Sequence, residues 1–236
     1  MTVGYLADAF DMLDVRDLGL IDQAAKACTE LVVGVFTDEY AERLLGHAPV
    51  VPFAERLELV SHVRGIRAVQ AHDEQASIPG HIVQGGTQRD AVPARERGWS
   101  PVVGYVPGAW DMFHIGHLNI VKRARDHCDR LVVGVVTDEA LVAVKARTPM
   151  VGLEDRMAVV RALDLLDEVT VDFSADKRDV WSRVGFDVLF KGDDWRGTAK
   201  GDRLEADMAS VGVRVCYFPY TAHTSSTRLR SLLAER

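Results

Sequence analysis

Val103-Gly-Tyr-Val-Pro-Gly-Ala-Trp-Asp-Met-Phe-His-Ile-Gly-His117 is the stretch that decides the fold. It reads as a short apolar strand, a glycine turn, and two histidines three apart where a helix begins. Beyond His117 the apolar residues Leu118, Ile120, Val121 and Ala124 keep helical spacing. A strand-to-helix junction of this kind offers free backbone N–H groups and the positive end of a helix dipole, which suits an anion. Two imidazoles placed there can donate hydrogen bonds to phosphate oxygens as charge builds during phosphoryl transfer.

Working outward, strands alternate with helices. Strand 102–107 leads to helix 117–128, and the apolar run 131–136 reads as a buried parallel strand. Helix 153–165, strand 168–171, helix 177–184 and strand 188–190 follow, then the loop Lys191-Gly-Asp-Asp-Trp195. Helix 201–210, strand 213–218 and a last helix from about Ser226 close the chain. The expected fold class is α/β, a Rossmann-like doubly wound parallel sheet with ligands at the carboxyl ends of the strands.

A shift of 100 residues aligns the beginning of the chain with this region without a gap. Val3-Gly-Tyr5 meets Val103-Gly-Tyr105, Leu31-Val-Val-Gly-Val35 meets Leu131-Val-Val-Gly-Val135, and Thr37-Asp-Glu39 meets Thr137-Asp-Glu139. Asp11-Met12, Cys28, Pro49 and Arg56 also have their counterparts. The pattern implies a tandem duplication with a truncated, degenerate N-terminal copy over 1–75, a linker over 76–100 and a complete domain over 101–236. The copies differ where chemistry would sit. Asp14, Arg16 and Asp17 stand for His114, Gly116 and His117, Asp8 for Gly108, and Leu45 for Lys145. Two carboxylates at that helix start would repel a triphosphate. An alternative is that Asp14 and Asp17 bind a metal.

Composition sets the outer limits. The 236 residues are 47% hydrophobic and 27% charged, ordinary for a globular protein. A net charge of −7 argues against a broad nucleic-acid surface. No apolar run approaches the ~20 residues of a membrane span. The start passes directly into Val3-Gly-Tyr-Leu6 without a basic region, so no signal peptide is expected. Cys28, Cys128 and Cys216 lack metal-binding spacing and read as reduced thiols of a cytoplasmic protein.

His114-Ile-Gly-His117 after Gly108-Ala-Trp-Asp111 resembles the HxGH signature of the nucleotidyltransferase superfamily. Its flanks are most similar to bacterial glycerol-3-phosphate cytidylyltransferases and to ethanolamine-phosphate cytidylyltransferases. Class I aminoacyl-tRNA synthetases also carry HIGH, but no KMSKS-type loop is found here. The resemblance implies that His114, His117 and Lys145 are catalytic, and that Gly108, Ala109, Trp110, Asp111, Ile115 and Gly116 surround CTP. It places Arg147 and Lys145 on a loop beside the substrate phosphates, Arg156 near the nucleotide, and Lys177, Lys145 and Trp195 at the acceptor. Arg156 occurs in both copies, which favours a structural role.

Gly192, Asp193 and Asp194 match the family's GDDW segment. The run Tyr220-Thr-Ala-His-Thr-Ser-Ser-Thr227 occupies the place of its RTxGISTT segment, with Thr221, Ala222, Thr224, Ser225, Ser226 and Thr227 toward the CTP phosphates. Hydroxyls at a helix N-terminus make a second anion cradle. Tyr220 replaces the family arginine and His223 the glycine, removing a bidentate phosphate contact.

The implied reaction is CMP transfer from Mg²⁺-bound CTP to a small phosphorylated alcohol, glycerol 3-phosphate first, with pyrophosphate released. An adenylyltransferase of the same superfamily and a non-catalytic nucleotide-binding regulator are the alternatives. No nucleic-acid or membrane partner is expected. The degenerate copy is expected to act as an intrachain pseudo-dimer partner, with further homo-oligomers open.

Overall fold

The computed structural model describes residues 2–76, 101–145, 147–219 and 224–234, except the side chains of residues 144 and 145. The first unit comprises β1 (Val3–Asp8), α1 (Val15–Lys26), β2 (Glu30–Phe36), α2 (Asp38–Leu45), α3 (Phe53–Ser61) and β3 (Ala68–His72). The second begins with β4 (Val103–Gly108), α4 (Ile115–Arg125), β5 (Arg130–Val136), α5 (Asp138–Lys145), α6 (Leu153–Arg161) and β6 (Glu168–Asp172). It continues through α7 (Lys177–Val184), β7 (Val188–Gly192), a 3-10 turn at Asp193–Trp195, α8 (Ala199–Ala209), β8 (Arg214–Phe218) and α9 (Ser226–Ala234).

All strand pairs are parallel. The second sheet runs β6-β5-β4-β7-β8 and the first β1-β2-β3. The second order reverses between β4 and β7, and in doubly wound sheets ligands bind at such a switch point, beyond the strands' carboxyl ends. The HxGH turn follows β4 and stands there. The first unit repeats half of this arrangement: Val3 pairs with Glu30 as Val103 pairs with Arg130. In both units a Cβ on the glycine of Leu-Val-Val-Gly-Val would collide with a tyrosine hydroxyl, 2.1 Å away at Gly34 and 1.8 Å at Gly134. Only glycine allows Tyr5 and Tyr105 to cross the neighbouring strand.

Two helices depart from the sequence expectation. Lys145 is the last residue of α5, not part of a loop, and α2 is its counterpart. Both begin at a threonine whose Oγ1 accepts a backbone N–H, from Tyr40 at Thr37 and from Ala140 at Thr137. Each helix has only eight residues and, among the described side chains, buries a single one, Ala41 or Leu141, so the amphipathic signal is too short to read.

Arg56 and Arg156 bind each unit's loops together. Arg156 is 1% exposed, with Nε donating to Val151 O at 2.9 Å, Nη1 to Ala109 O at 2.5 Å and Nη2 to Asp138 Oδ1 at 2.5 Å. Arg56 makes the same three bonds to Val51, Ala9 and Asp38.

The units meet through α1 against α6 and α3 against α4, pairings that the 100-residue shift interchanges. At the centre Val63 bridges Leu163, Arg64 N donates to Ala162 O at 2.8 Å, and Asp164 N donates to His62 O at 2.9 Å. Each bond is the other's counterpart under the shift, as in an isologous interface. Leu59 of α3 enters the second unit's core.

The identical arginine brackets predict that Arg56→Met and Arg156→Met each lower unfolding stability by about 3 kcal/mol, because the two backbone carbonyls that each guanidinium satisfies lose their donor. Urea denaturation checks this. Loss confined to the second unit's variant would refute a shared structural role.

Candidate active site

The turn after β4 holds an uncommon backbone. Trp110 and Met112 adopt left-handed φ of 57° and 50°, and Phe10 and Met12 do so at the equivalent places, with φ of 50° and 61°. Such residues cost about 1–3 kcal/mol each and persist only where surroundings over-determine them. Here the determinant is Asp111. Its buried carboxylate accepts from Met150 N and Val151 N, each at 3.0 Å to Oδ1, and forms an ion pair with Arg230. Asp11 accepts likewise from Val50 N and Val51 N.

His114 caps α4. Its Nδ1 accepts from Gly116 N at 3.1 Å, so the neutral ring carries its proton on Nε2. Nε2 lies 3.3 Å from Ser226 Oγ, which donates to the Asp111 carbonyl at 2.8 Å. The His117 ring stacks on His114 with centroids 3.8 Å apart and planes at 22°. A Cβ on Gly116 would lie 2.9 Å from the His114 ring and 3.4 Å from Thr224 O. The glycine of the motif lets the ring fold back onto the helix and lets the approach to α9 pass closely overhead.

Burial pushes His114 down to about 4, with Asp111 pulling weakly the other way. Near neutrality it is therefore an uncharged hydrogen-bond donor. In the first unit Asp14 and Asp17 form a capping box on α1, and burial together with the carboxylates of Asp14 and Asp8 pushes Asp17 up to about 6. That helix start carries negative charge where the second unit presents imidazoles.

The cleft over this junction, about 120 Å³, is lined by Ala109, Asp111, His117, Leu141, Arg147, Pro149, Ser226 and Arg230. It unites Ala109, Asp111, His117, Arg147 and Ser226 of the sequence-derived set. Ile115 and Gly116 open α4 beside it, and Gly108 ends β4, where a Cβ would strike the Trp110 indole at 2.7 Å. Ser225 caps α9 by accepting from Arg228 N at 3.3 Å, Thr224 is buried, and Thr227 is exposed on the helix.

Several expected contacts are placed differently. The Trp110 side chain is a core residue, 2% exposed, with Nε1 donating to Gly134 O at 2.8 Å. All three nitrogens of the Arg156 guanidinium are engaged by protein atoms, so it braces the turn. Lys177 pairs at 2.6 Å with Asp172, a buried carboxylate that also accepts from Tyr105 Oη at 3.0 Å. Asp193 and Asp194 are exposed on the 3-10 turn, and a Cβ on Gly192 would lie 2.5 Å from Asp194 Oδ1. Trp195 underlies Lys191, whose Nζ is 4.4 Å from its ring centroid. Tyr220, Thr221, Ala222, His223 and the Lys145 side chain lie outside the described residues.

Arg230 is a charged residue of the cleft that sequence reasoning missed. Its signal was spacing: it follows Ser226 by four on α9, so both face the Asp111 turn.

A family model described as Cytidylyltransferase-like matches residues 105–232, and the chain belongs to this family. Its relatives include the bifunctional protein HldE of Acidiphilium cryptum, 36% identical over 143 residues, 58% of this chain and 28% of that protein. The ethanolamine-phosphate cytidylyltransferase of Arabidopsis thaliana is 46% identical over 72 residues, 30% of this chain and 17% of its own length. The glycerol-3-phosphate cytidylyltransferase of Bacillus spizizenii is 29% identical over 129 residues, 54% of this chain and 93% of that enzyme. The FAD synthase of Thermococcus onnurineus is 31% identical over 121 residues, 48% of this chain and 76% of that protein. The chain thus spans under a third of the HldE and ethanolamine-phosphate relatives and most of the other two.

A histidine pushed down on folding makes the native state lose stability as pH falls from about 6.5 toward 4, where the unfolded chain takes up the proton first. At about 1.4 kcal/mol per pH unit this reaches about 2–3 kcal/mol by pH 4.5. His114→Asn keeps a capping acceptor and should lose that slope. Urea denaturation of both proteins at pH 7 and pH 4.5 should show the difference, and parallel pH profiles would contradict it.

Proposed function

We propose that the chain is a cytidylyltransferase that transfers CMP from CTP to a small phosphorylated alcohol, glycerol 3-phosphate first, releasing pyrophosphate. The observation that carries this reading is the pair of stacked imidazoles at the start of α4, facing the hydroxyl and guanidinium of α9 across one cleft at the sheet's switch point. The near full-length likeness to a glycerol-3-phosphate cytidylyltransferase supports the choice of base and acceptor.

An acceptor phosphate oxygen, already ionised at neutral pH, attacks the α-phosphorus in line as the bond to pyrophosphate breaks. No general base is needed, so catalysis is positioning and charge stabilisation. His114 donates through Nε2–H to an α-phosphoryl oxygen, exchanging its contact with Ser226, and His117 donates beside it. Lys145, Arg147 and Arg230 balance the flanking charge, and the N-terminus of α9 receives the β- and γ-phosphates. Lys177, which pairs with Asp172 in the free protein, and Trp195 are proposed for the acceptor. Tyr220 and His223 replace the family arginine and glycine in sequence, and neither fully replaces the arginine's bidentate phosphate contact.

Among the described residues no group of three or more His, Cys, Asp or Glu side chains forms a metal cage. Asp111, a carboxylate that lines the cleft, is engaged by two amides and Arg230. Mg²⁺ is therefore proposed to enter with CTP, held by its phosphates.

Residues 1–75 are proposed to be a truncated degenerate copy, joined through 76–100 to the catalytic domain over 101–236, and paired with it as an intrachain pseudo-dimer. No helix among the described residues is long and apolar enough to cross a membrane. The three free thiols support a reducing, cytoplasmic setting. The likeness to an FAD synthase favours a second reading, adenylyl transfer from ATP at the same junction.

Pyrophosphate release with Mg²⁺, crossing CTP and ATP against phosphorylated alcohols, tests both readings. CTP with glycerol 3-phosphate should turn over, and His117→Ala should lose about 10²-fold or more in rate with the fold intact. Preference for ATP would select the second reading. Nucleotide binding without turnover would indicate a regulator, and no binding would overturn both readings.

A further inference from the structure

We infer that Glu55, carried by the first unit, is a positioning residue for the nucleotide-binding end of α9 in the second. The inference rests on the proposed function and extends it to a residue outside the catalytic domain. Thr224 precedes α9, is 6% exposed, and donates through Oγ1 to Glu55 Oε1 at 2.8 Å, across 169 residues of sequence. Its carbonyl passes over the HxGH turn, 3.4 Å from where a Cβ on Gly116 would stand. What fixes Thr224 therefore fixes the distance between the two helix N-termini that form the anion site.

Glu55 is well placed to do this. It lies in the first turn of α3, its N–H donates to Pro52 O at 3.0 Å, and the next residue is the buried Arg56. One turn on, Glu58 pairs with Lys122 of α4 at 2.5 Å, and Leu59 packs into the second unit's core. One face of α3 thus holds both helices: α4 through Glu58 and Leu59, α9 through Glu55.

Interface stability alone does not account for this carboxylate. Glu55 Oε2 is buried without a hydrogen-bond partner among the described residues, which makes it a costly way to hold two units together. The contact is also not repeated by the pseudo-symmetry. The counterpart of Glu55 is Asp155, one methylene shorter and exposed. A carboxylate would repel the triphosphate directly, so Glu55 acts through the Thr224 hydroxyl. The first unit, lacking imidazoles at the start of its own α1, contributes to the neighbouring site.

The test is amide hydrogen exchange at Arg228 and Leu229 in nucleotide-free protein, together with the nucleotide KM and kcat. Both amides are bonded to Ser225 at the head of α9. Glu55→Ala should raise their exchange about tenfold and raise KM about tenfold, with kcat within twofold and exchange in α3 unchanged. Glu55→Gln keeps the acceptor and should restore both, and Thr224→Val should match Glu55→Ala without adding to it. Unchanged α9 exchange in Glu55→Ala, or an equal defect in Glu55→Gln, would overturn the inference. The exchange measurement needs no turnover, so an inactive protein with a loosened α9 would count against the cytidylyltransferase reading alone.

Discussion

The structure hangs on a buried aspartate. Asp111 accepts two backbone amides from the loop before α6, holds two left-handed residues on either side of it, and pairs with Arg230 of α9. Three segments distant in sequence are thereby pinned at the end of β4, and the HxGH helix starts where they meet. The same aspartate in the first unit, Asp11, holds the same loop through the same two amides. The clamp is a property of the fold; the ion pair with Arg230 is particular to the second unit's clamp among the described residues.

The two units therefore differ less in architecture than in charge. One presents two stacked imidazoles, with His114 buried and uncharged near neutrality, beneath a helix carrying Ser226 and Arg230. The other presents Asp14 and Asp17, whose carboxylates cap their own helix, with Asp17 pushed up to about 6 by burial and by its acidic neighbours. A helix N-terminus attracts an anion only while its side chains allow it. The first unit shares the packing of the second but has a self-satisfied carboxylate cap where the second has imidazoles.

Much of this was legible in sequence because parallel strands buried on both faces read as apolar runs, and the 100-residue identity doubled the signal. Leu131–Val135 is a buried parallel strand as expected, and its counterpart pairs in the equivalent register. The HxGH junction, Gly116 and the hydroxyl run at α9 also stood out. What escaped was tertiary. The helices α2 and α5 are too short for periodicity, which displaced Lys145 from loop to helix end. Trp110 and Arg156 sit inside the motif region, but their partners, Gly134 O, Val151 O and Ala109 O, are backbone atoms that no motif records. Arg230 and Glu55 reach the site only because α9 folds back over the first turn of α4 and against α3.

Isothermal titration of nucleotide into the intact chain tests the central claim most directly, that one of two similar junctions is a nucleotide site. CTP with Mg²⁺ should bind with a stoichiometry of one, and binding should weaken at least tenfold in Arg230→Ala while surviving replacement of Asp14 and Asp17 by asparagine. A stoichiometry of two, or affinity that follows the first unit's aspartates and ignores Arg230, would contradict it.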